Sequence, residues 1–187
     1  VSGSALPAGS TSARQSARAM IRSSGSLMSS MVPRSSSRRS TNSRTSTNSG
    51  GGLYVDHVNA IVNVSNSTFT NNTATNQGGG GIFIGNGTLS VTDSVLSNNT
   101  SNFEGGGLHN LSLGGTVTVT RTTVSNNTKG GLFSTGNLTV INSTVSGNTS
   151  GRGIYNYSSG TLVVTGTTIS NNSGPTGSGL FSPGGTL

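Results

Sequence analysis

The sequence has no cysteine and no tryptophan, and only 7% of its 187 residues are charged. Without cysteine, the chain forms no disulfide and offers no thiolate ligand to a metal ion. Hydrophobic residues make up 28% and aromatic residues 4%, which is little for the core of an ordinary globular domain. No run of about 18 apolar residues occurs, so the sequence predicts no transmembrane helix.

Acidic residues are scarce as well, with three against ten Lys and Arg. Seven of the basic residues precede residue 45, where no acid occurs: Arg14, Arg18, Arg22, Arg34, Arg38, Arg39 and Arg44. We interpret 1–50 as a Ser/Arg-rich basic segment that is irregular or disordered. A short capping helix over 13–22 and an out-of-frame stretch of the gene are the alternatives. Because no aromatic residue accompanies the arginines, we expect no nucleic-acid binding.

What the sequence has instead is a repeat. A thirteen-residue block recurs five times: AIVNVSNSTFTNN (60–72), GTLSVTDSVLSNN (87–99), GTVTVTRTTVSNN (115–127), GNLTVINSTVSGN (136–148) and GTLVVTGTTISNN (160–172). A triplet of Gly, an aliphatic anchor and an aromatic residue or His precedes each block, and a sixth triplet follows the last one. The anchors are Leu53, Ile82, Leu108, Leu132, Ile154 and Leu180. Their spacing of 22 to 29 residues is typical of a solenoid.

Apolar and polar residues alternate within each block, as in strands with one buried face. The side chains at the third, fifth and tenth block positions are expected to face inward with the anchors. They are Val62, Val64, Phe69, Leu89, Val91, Leu96, Val117, Val119, Val124, Leu138, Val140, Val145, Leu162, Val164 and Ile169. Four apolar side chains cannot fold a coil alone, but stacked coils pair their backbones and form ladders of like side chains. We therefore predict an all-β, right-handed parallel β-helix of the pectin-lyase-like type, with about five coils and a partial sixth over 51–187.

Two columns of Asn support stacked coils. The last block position is Asn in all five copies: Asn72, Asn99, Asn127, Asn148 and Asn172. A primary amide both donates and accepts hydrogen bonds, so these residues are predicted to form a structural ladder. The preceding position is Asn in four copies and Gly147 in the fifth. Asn and Gly tolerate positive φ best, which predicts a left-handed corner at the same place in every coil.

The pairing of Gly-Gly-aliphatic with Phe-x-x-Asn resembles the repeats of the chlamydial polymorphic outer-membrane proteins and of related bacterial β-helix proteins. Phe69-Thr70-Asn71-Asn72 matches the second motif, and the other copies replace Phe by another apolar residue. The resemblance covers about 51–187. It implies export to the bacterial surface, where the helix acts as an adhesive passenger on an autotransporter.

The triplets also create a column of rings: Tyr54, Phe83, His109, Phe133, Tyr155 and Phe181. If the anchors face inward, strand alternation turns these side chains outward and stacks them from coil to coil. One interpretation is mutual stacking that stabilises the coils. The other is an exposed apolar strip that binds a sugar ring or a protein partner.

Parallel β-helices also include polysaccharide lyases and hydrolases, which cluster carboxylates for proton transfer. Here Asp56, Asp93 and Glu104 fall in separate segments. We therefore predict no catalytic residue, no metal and no cofactor, with a fragment of a secreted polysaccharide lyase or glycoside hydrolase as the alternative. The leading hypothesis is an extracellular or cell-surface structural or adhesive module whose partner is a host or cell-surface protein or a glycan.

Overall fold

The computed structural model describes residues 41–42, 45–46, 49–111, 115–157, 160–184 and 186–187, and every regular element in these ranges is a β-strand. The strands are β1 Thr41–Asn42, β2 Thr45–Ser46, β3 Leu53–Ser65, β4 Thr68–Thr70, β5 Thr73–Ala74, β6 Ile82–Thr92, β7 Val95–Ser97, β8 Thr100–Ser101, β9 Leu108–Asn110, β10 Thr116–Thr120, β11 Thr123–Ser125, β12 Leu132–Ser134, β13 Asn137–Ile141, β14 Thr144–Ser146, β15 Ile154–Asn156, β16 Leu162–Thr165, β17 Thr168–Ser170 and β18 Leu180–Phe181. The predicted capping helix over 13–22 lies outside the described residues.

The strands form three parallel sheets that run along the stack of coils. Sheet A has the order β16-β13-β10-β6-β9-β12-β15-β18, with β3 also paired to β6. Sheet B has the order β1-β4-β7-β11-β14-β17, and sheet C has the order β2-β5-β8. Strands β3 and β6 carry both the anchor and the start of the block, whereas later coils divide this stretch into two strands. The predicted right-handed parallel β-helix of about five coils is confirmed.

The core follows the predicted register. Equivalent block positions are direct partners across coils, as in Leu89, Val117 and Leu138. Every residue predicted to face inward belongs to the hydrophobic core or packs against it. Burial is complete in the middle coils and partial in the outermost ones, because the last coil on each side has a neighbour on one face only. The partly buried members are Leu53, Val62, Val64, Val164, Ile169 and Leu180.

Parallel pairing begins upstream of the predicted boundary at residue 51. Strand β1 pairs with β4, and β2 pairs with β5, in the same parallel sense as the later coils. The first of these contacts joins Thr41 to Thr68. A short part of the segment interpreted as irregular therefore contributes strands to sheets B and C.

The predicted Asn ladder is present and closes one corner of every coil. The Oδ1 of Asn99 accepts hydrogen bonds from both the backbone N–H and the Nδ2 of Asn72, at 3.0 and 2.9 Å. The same pair of bonds links Asn99 to Asn127, Asn127 to Asn148 and Asn148 to Asn172. Because the first four members are fully buried, the ladder satisfies polar groups that have no access to water.

The left-handed corner beside the ladder is confirmed, and a second one lies at the seventh position of each block. The first has φ between 53° and 64° at Asn71, Asn98, Asn126, Gly147 and Asn171. The second has φ between 45° and 57° at Asn66, Asp93, Arg121, Asn142 and Gly166. Asp93 and Arg121 form a bidentate ion pair across adjacent coils, with N–O distances of 2.7 and 2.8 Å.

A second ladder, made of hydroxyls, follows the second corner. Its members are Ser67, Ser94, Thr122, Ser143 and Thr167, and each hydroxyl donates to the carbonyl two residues earlier. From Ser94 onward, each hydroxyl also accepts the backbone N–H of the equivalent residue in the preceding coil, at 3.1 to 3.3 Å. The turn between sheets A and B is thus fixed by hydrogen bonds both within and between coils.

The Gly of each of the first five triplets is required by close contact between coils. A Cβ on Gly52, Gly81, Gly107, Gly131 or Gly153 would lie 2.5 to 2.7 Å from the carbonyl oxygen of the equivalent Gly in the next coil. None of these five residues has positive φ. The constraint is therefore one of space, which explains why the triplet begins with Gly.

Candidate functional site

The six predicted site residues form one continuous column on sheet A. Tyr54, Phe83 and His109 stack nearly parallel, with ring centroids 5.2 and 5.4 Å apart. His109 is tilted against Phe133 at 4.5 Å, and Phe133 meets Tyr155 edge to face at 5.2 Å. Tyr155 then contacts Phe181 at 5.5 Å and the exposed Tyr157 at 5.8 Å. The predicted stacking is confirmed, and the contacts among the six triplet rings follow from parallel register between coils.

The middle of the column is buried, so it does not form the exposed apolar strip of the second interpretation. Phe83, His109 and Phe133 are 2%, 7% and 8% exposed, although Phe83 and Phe133 lie outside the hydrophobic core cluster. The prediction of exposure is wrong for these three rings because connecting segments fold over the outer face of sheet A. Gly78 lies against the His109 ring, and a Cβ on Gly105 would lie 2.8 Å from that of Phe133. The binding role of the column stays a prediction.

Arg152 covers the last two rings of the column, Tyr155 and Phe181. Its guanidinium carbon lies 4.2 Å from the Tyr155 ring centroid and 4.4 Å from that of Phe181, which are cation–π distances. Its Nε and Nη2 donate to the carbonyl and hydroxyl oxygens of Thr176, both at 2.9 Å. Its Nη1 lies 3.4 Å from Glu104. Arg152 thus joins three connecting segments over the rings. Tyr155 and Phe181 remain partly exposed, and Tyr157, which contacts Tyr155, is exposed.

His109 is a buried titratable group of this region, and Glu104 beside it is partly buried. The Nδ1 of His109 is 2.7 Å from the Glu104 carbonyl oxygen, so Nδ1 carries the proton of the neutral ring. Burial lowers the pKa of His109 below 6.5, and the Glu104 hydrogen bond opposes the shift. Burial raises the pKa of the Glu104 carboxyl above 4.5, against the attraction of Arg152 and Lys129.

Acidification is expected to destabilise the protein through His109. The unfolded state takes up this proton near pH 6.5 and the folded state only at lower pH, so the free energy of unfolding falls as pH drops below about 6.5. The slope for one proton is at most about 1.4 kcal/mol per pH unit. Urea unfolding at several pH values between 7.5 and 5.5 measures it, and His109→Phe should remove this dependence.

Glu104 provides the control for that experiment. Its raised pKa acts in the opposite sense, because the folded state binds this proton more readily and gains stability as pH falls through the folded-state pKa. Glu104→Gln should therefore retain the loss of stability below pH 6.5. An equal slope in wild type and His109→Phe would show that another group is responsible.

The three acidic residues lie in separate contacts. Asp93 pairs with Arg121, which lowers the pKa of its carboxyl. Asp56 accepts hydrogen bonds from the Tyr54 hydroxyl at 3.1 Å and from the Asn86 amide at 2.7 Å. Among the described residues, no two of these carboxylates share a partner. Within the described ranges, no group of three or more His, Asp and Glu side chains is placed to hold a metal ion.

Sequence reasoning missed one surface, the outward side of sheet B. The ninth and eleventh block positions carry hydroxyls there at nine of ten places: Thr68, Thr70, Ser97, Thr123, Ser125, Thr144, Ser146, Thr168 and Ser170, with Val95 as the exception. We call these residues the hydroxyl face. The regular Thr-x-Ser spacing in the blocks was the signal that could have revealed it.

A stack of parallel coils with inward aliphatic, amide and hydroxyl ladders defines a right-handed parallel β-helix. The profile of the family described as "Right handed beta helix region" matches residues 31–184, so the chain belongs to this family. No curated protein and no solved structure matches the chain. Among the described residues, no helix is long and apolar enough to cross a membrane.

Proposed function

We propose that the chain is an exported or cell-surface β-helix module with a structural or adhesive role, which binds a protein partner or a glycan and has no catalysis of its own. The observation that carries this proposal is the separation of the carboxylates. Glycoside hydrolysis uses two carboxyl groups that face one bond from about 5 to 10 Å apart. Asp93 is held by Arg121, and Glu104 approaches Arg152, in different parts of the solenoid.

The surface of the solenoid supports a binding role. Its charged residues are few and partly self-neutralised, whereas Ser, Thr and Asn dominate the outward positions of the strands. Such side chains donate and accept hydrogen bonds without the desolvation cost of a full charge. The resemblance to the chlamydial polymorphic outer-membrane repeat supports export to the bacterial surface and an adhesive role.

The proposal is tested by two assays on the full chain. A glycan array and a pull-down from surface-protein extracts report binding, and size analysis of polysaccharides after incubation reports cleavage. We expect the protein to bind a glycan or a surface protein and to leave the length of the polysaccharides unchanged. Cleavage of a polysaccharide would instead establish the lyase or hydrolase alternative, provided that it disappears in Asp56→Asn, Asp93→Asn or Glu104→Gln. If the protein neither binds nor cleaves any probe, the adhesive role is rejected.

A further inference from the structure

The hydroxyl face is a regular two-column lattice. Strands β4, β7, β11, β14 and β17 pair in register without a bulge, so Thr123 lies beside Thr144 and Ser125 beside Ser146. Neighbouring coils are about 4.8 Å apart, and the two columns are roughly 6.7 Å apart along each strand. The core holds the strands rigidly from behind through Leu96, which is fully buried. The hydroxyls therefore form a preorganised array.

These hydroxyls are available to a ligand, unlike those of the hydroxyl ladder. Each ladder member donates within its own coil, as Thr122 does to the carbonyl of Thr120 at 2.9 Å. On the hydroxyl face, one bond joins Ser97 to Thr70 at 3.3 Å. Towards the other described residues, the hydroxyls of Thr123, Ser125 and their equivalents in the next two coils form no hydrogen bond.

Strand formation alone does not explain the residue choice. Thr fits a strand better than Ser, yet the eleventh position is Ser in four of five coils. The outward side of sheet A is less regular, because Ile61, Ile141 and Val163 interrupt its Thr and Ser columns. Sheet B has a single interruption, at Val95, so the more regular array is a property of sheet B.

The hydroxyl face is also uncharged. It contains no acidic, basic or aromatic residue, and the charged pair at its rim, Asp93 and Arg121, is neutralised by a bidentate contact. The exposed amides of Asn98 and Asn126 border the Ser column. This chemistry matches a ligand that is rich in hydroxyl groups and carries no charge.

We propose that the hydroxyl face binds a neutral, extended polysaccharide that lies across successive coils. This inference rests on the proposed function and names its site and ligand class. Replacing one hydrogen bond to water by one to a protein hydroxyl contributes little to the binding free energy. High affinity therefore requires many such contacts at once, made between two rigid partners that both repeat. A lattice that repeats at each coil meets that requirement.

Paired double variants within one coil test the site. Thr123→Lys with Ser125→Lys places two long charged side chains on the hydroxyl face, and Thr118→Lys with Thr120→Lys places the same side chains on sheet A as the control. The probes are cellulose and chitin, compared with polygalacturonate, in binding isotherms on the full chain. We expect the first double variant to bind the neutral probes at least about tenfold more weakly and the control to bind within about twofold of wild type.

The salt dependence of binding distinguishes this site from electrostatic binding by the arginines before residue 45. Binding at an uncharged face should be unchanged between about 0.1 and 1 M NaCl, whereas binding through arginines should weaken strongly. Thermal unfolding confirms that each variant is folded, and Ser146→Lys alone serves as a milder second variant.

Other outcomes would overturn the inference in recognisable ways. Preference for polygalacturonate, equal weakening by both double variants, or loss of binding only in Tyr157→Ala would reject this face and leave the adhesive function standing. Failure to bind any glycan or surface protein would reject the adhesive function itself.

Discussion

Replacement of Asn127 by alanine is expected to lower the free energy of unfolding by about 3 to 5 kcal/mol. The side chain sits at the centre of the Asn ladder and is fully buried. Its Oδ1 accepts from the N–H and Nδ2 of Asn99, and its Nδ2 donates to Asn148 and to the carbonyl of Leu96. Alanine removes the acceptor of two buried donors, the backbone N–H and the Nδ2 of Asn99, and each unsatisfied group costs about 1 to 3 kcal/mol.

Denaturant unfolding of the full chain measures this loss, and the neighbouring residue supplies the control. Asn126 belongs to the same corner, but it is exposed and has φ of 56°. Asn126→Gly should change stability by less than about 1 kcal/mol, because Gly adopts this conformation without steric cost. Similar losses in both variants would mean that the corner, and not the buried amide, determines stability.

Gly107→Ala is expected to be the second most damaging change, at about 3 kcal/mol. The added Cβ would lie 2.7 Å from the carbonyl oxygen of Gly131 and 3.0 Å from the Nδ2 of Asn127. Both neighbours are fixed by coil-to-coil hydrogen bonds, so they cannot move without opening the stack. The loss is measured as a lower midpoint of urea unfolding.

Gly179 provides a matched control for Gly107. It is the equivalent residue in the last triplet, and among the described residues its added Cβ would meet only the Cγ2 of Ile169 within 4 Å, at 3.6 Å. Gly179→Ala should be neutral or slightly stabilising, because alanine reduces the freedom of the unfolded chain. Equal damage at both positions would contradict the steric explanation.

The sequence predicts the repeating interior well because residue type and coil position coincide there. The alternation that places Leu89, Val117 and Leu138 inward is visible in every block, and their register is confirmed. The Asn ladder is predicted equally well, because a column of amides such as Asn127 can donate and accept hydrogen bonds between stacked coils. The same reasoning missed Val55 and Ile84, which join the core because β3 and β6 continue where later coils divide.

The exposure of the aromatic column could not be predicted from alternation. Period-2 reasoning places Phe83 on the face of the sheet opposite Ile82, but it does not say what covers that face. The segments that cover it differ in length between coils and include Arg152, whose contacts with Tyr155 and Thr176 depend on tertiary folding. The role of the column as a binding site remains a prediction.

The second left-handed corner could not be predicted from the sequence either, because its residues are of different types. Asn66 and Gly166 are typical of positive φ, but Asp93 and Arg121 occupy equivalent positions at 50° and 45°. A left-handed residue costs roughly 1 to 2 kcal/mol outside Gly. Here the stacking of coils above and below imposes the conformation, so the tertiary register outweighs the local preference.

The aligned register of the ladders has a consequence for how this chain changes in length. Each amide or hydroxyl of a ladder bonds only within its own coil and to the coils next to it, so the rod is a one-dimensional series of nearest-neighbour couplings. We therefore expect loss of structure to start at an outer coil, where Val164 and Ile169 are partly exposed, and to move inward. Duplication of an inner coil creates no new kind of interface, so such a gene can gain or lose repeats while each remaining coil keeps its contacts.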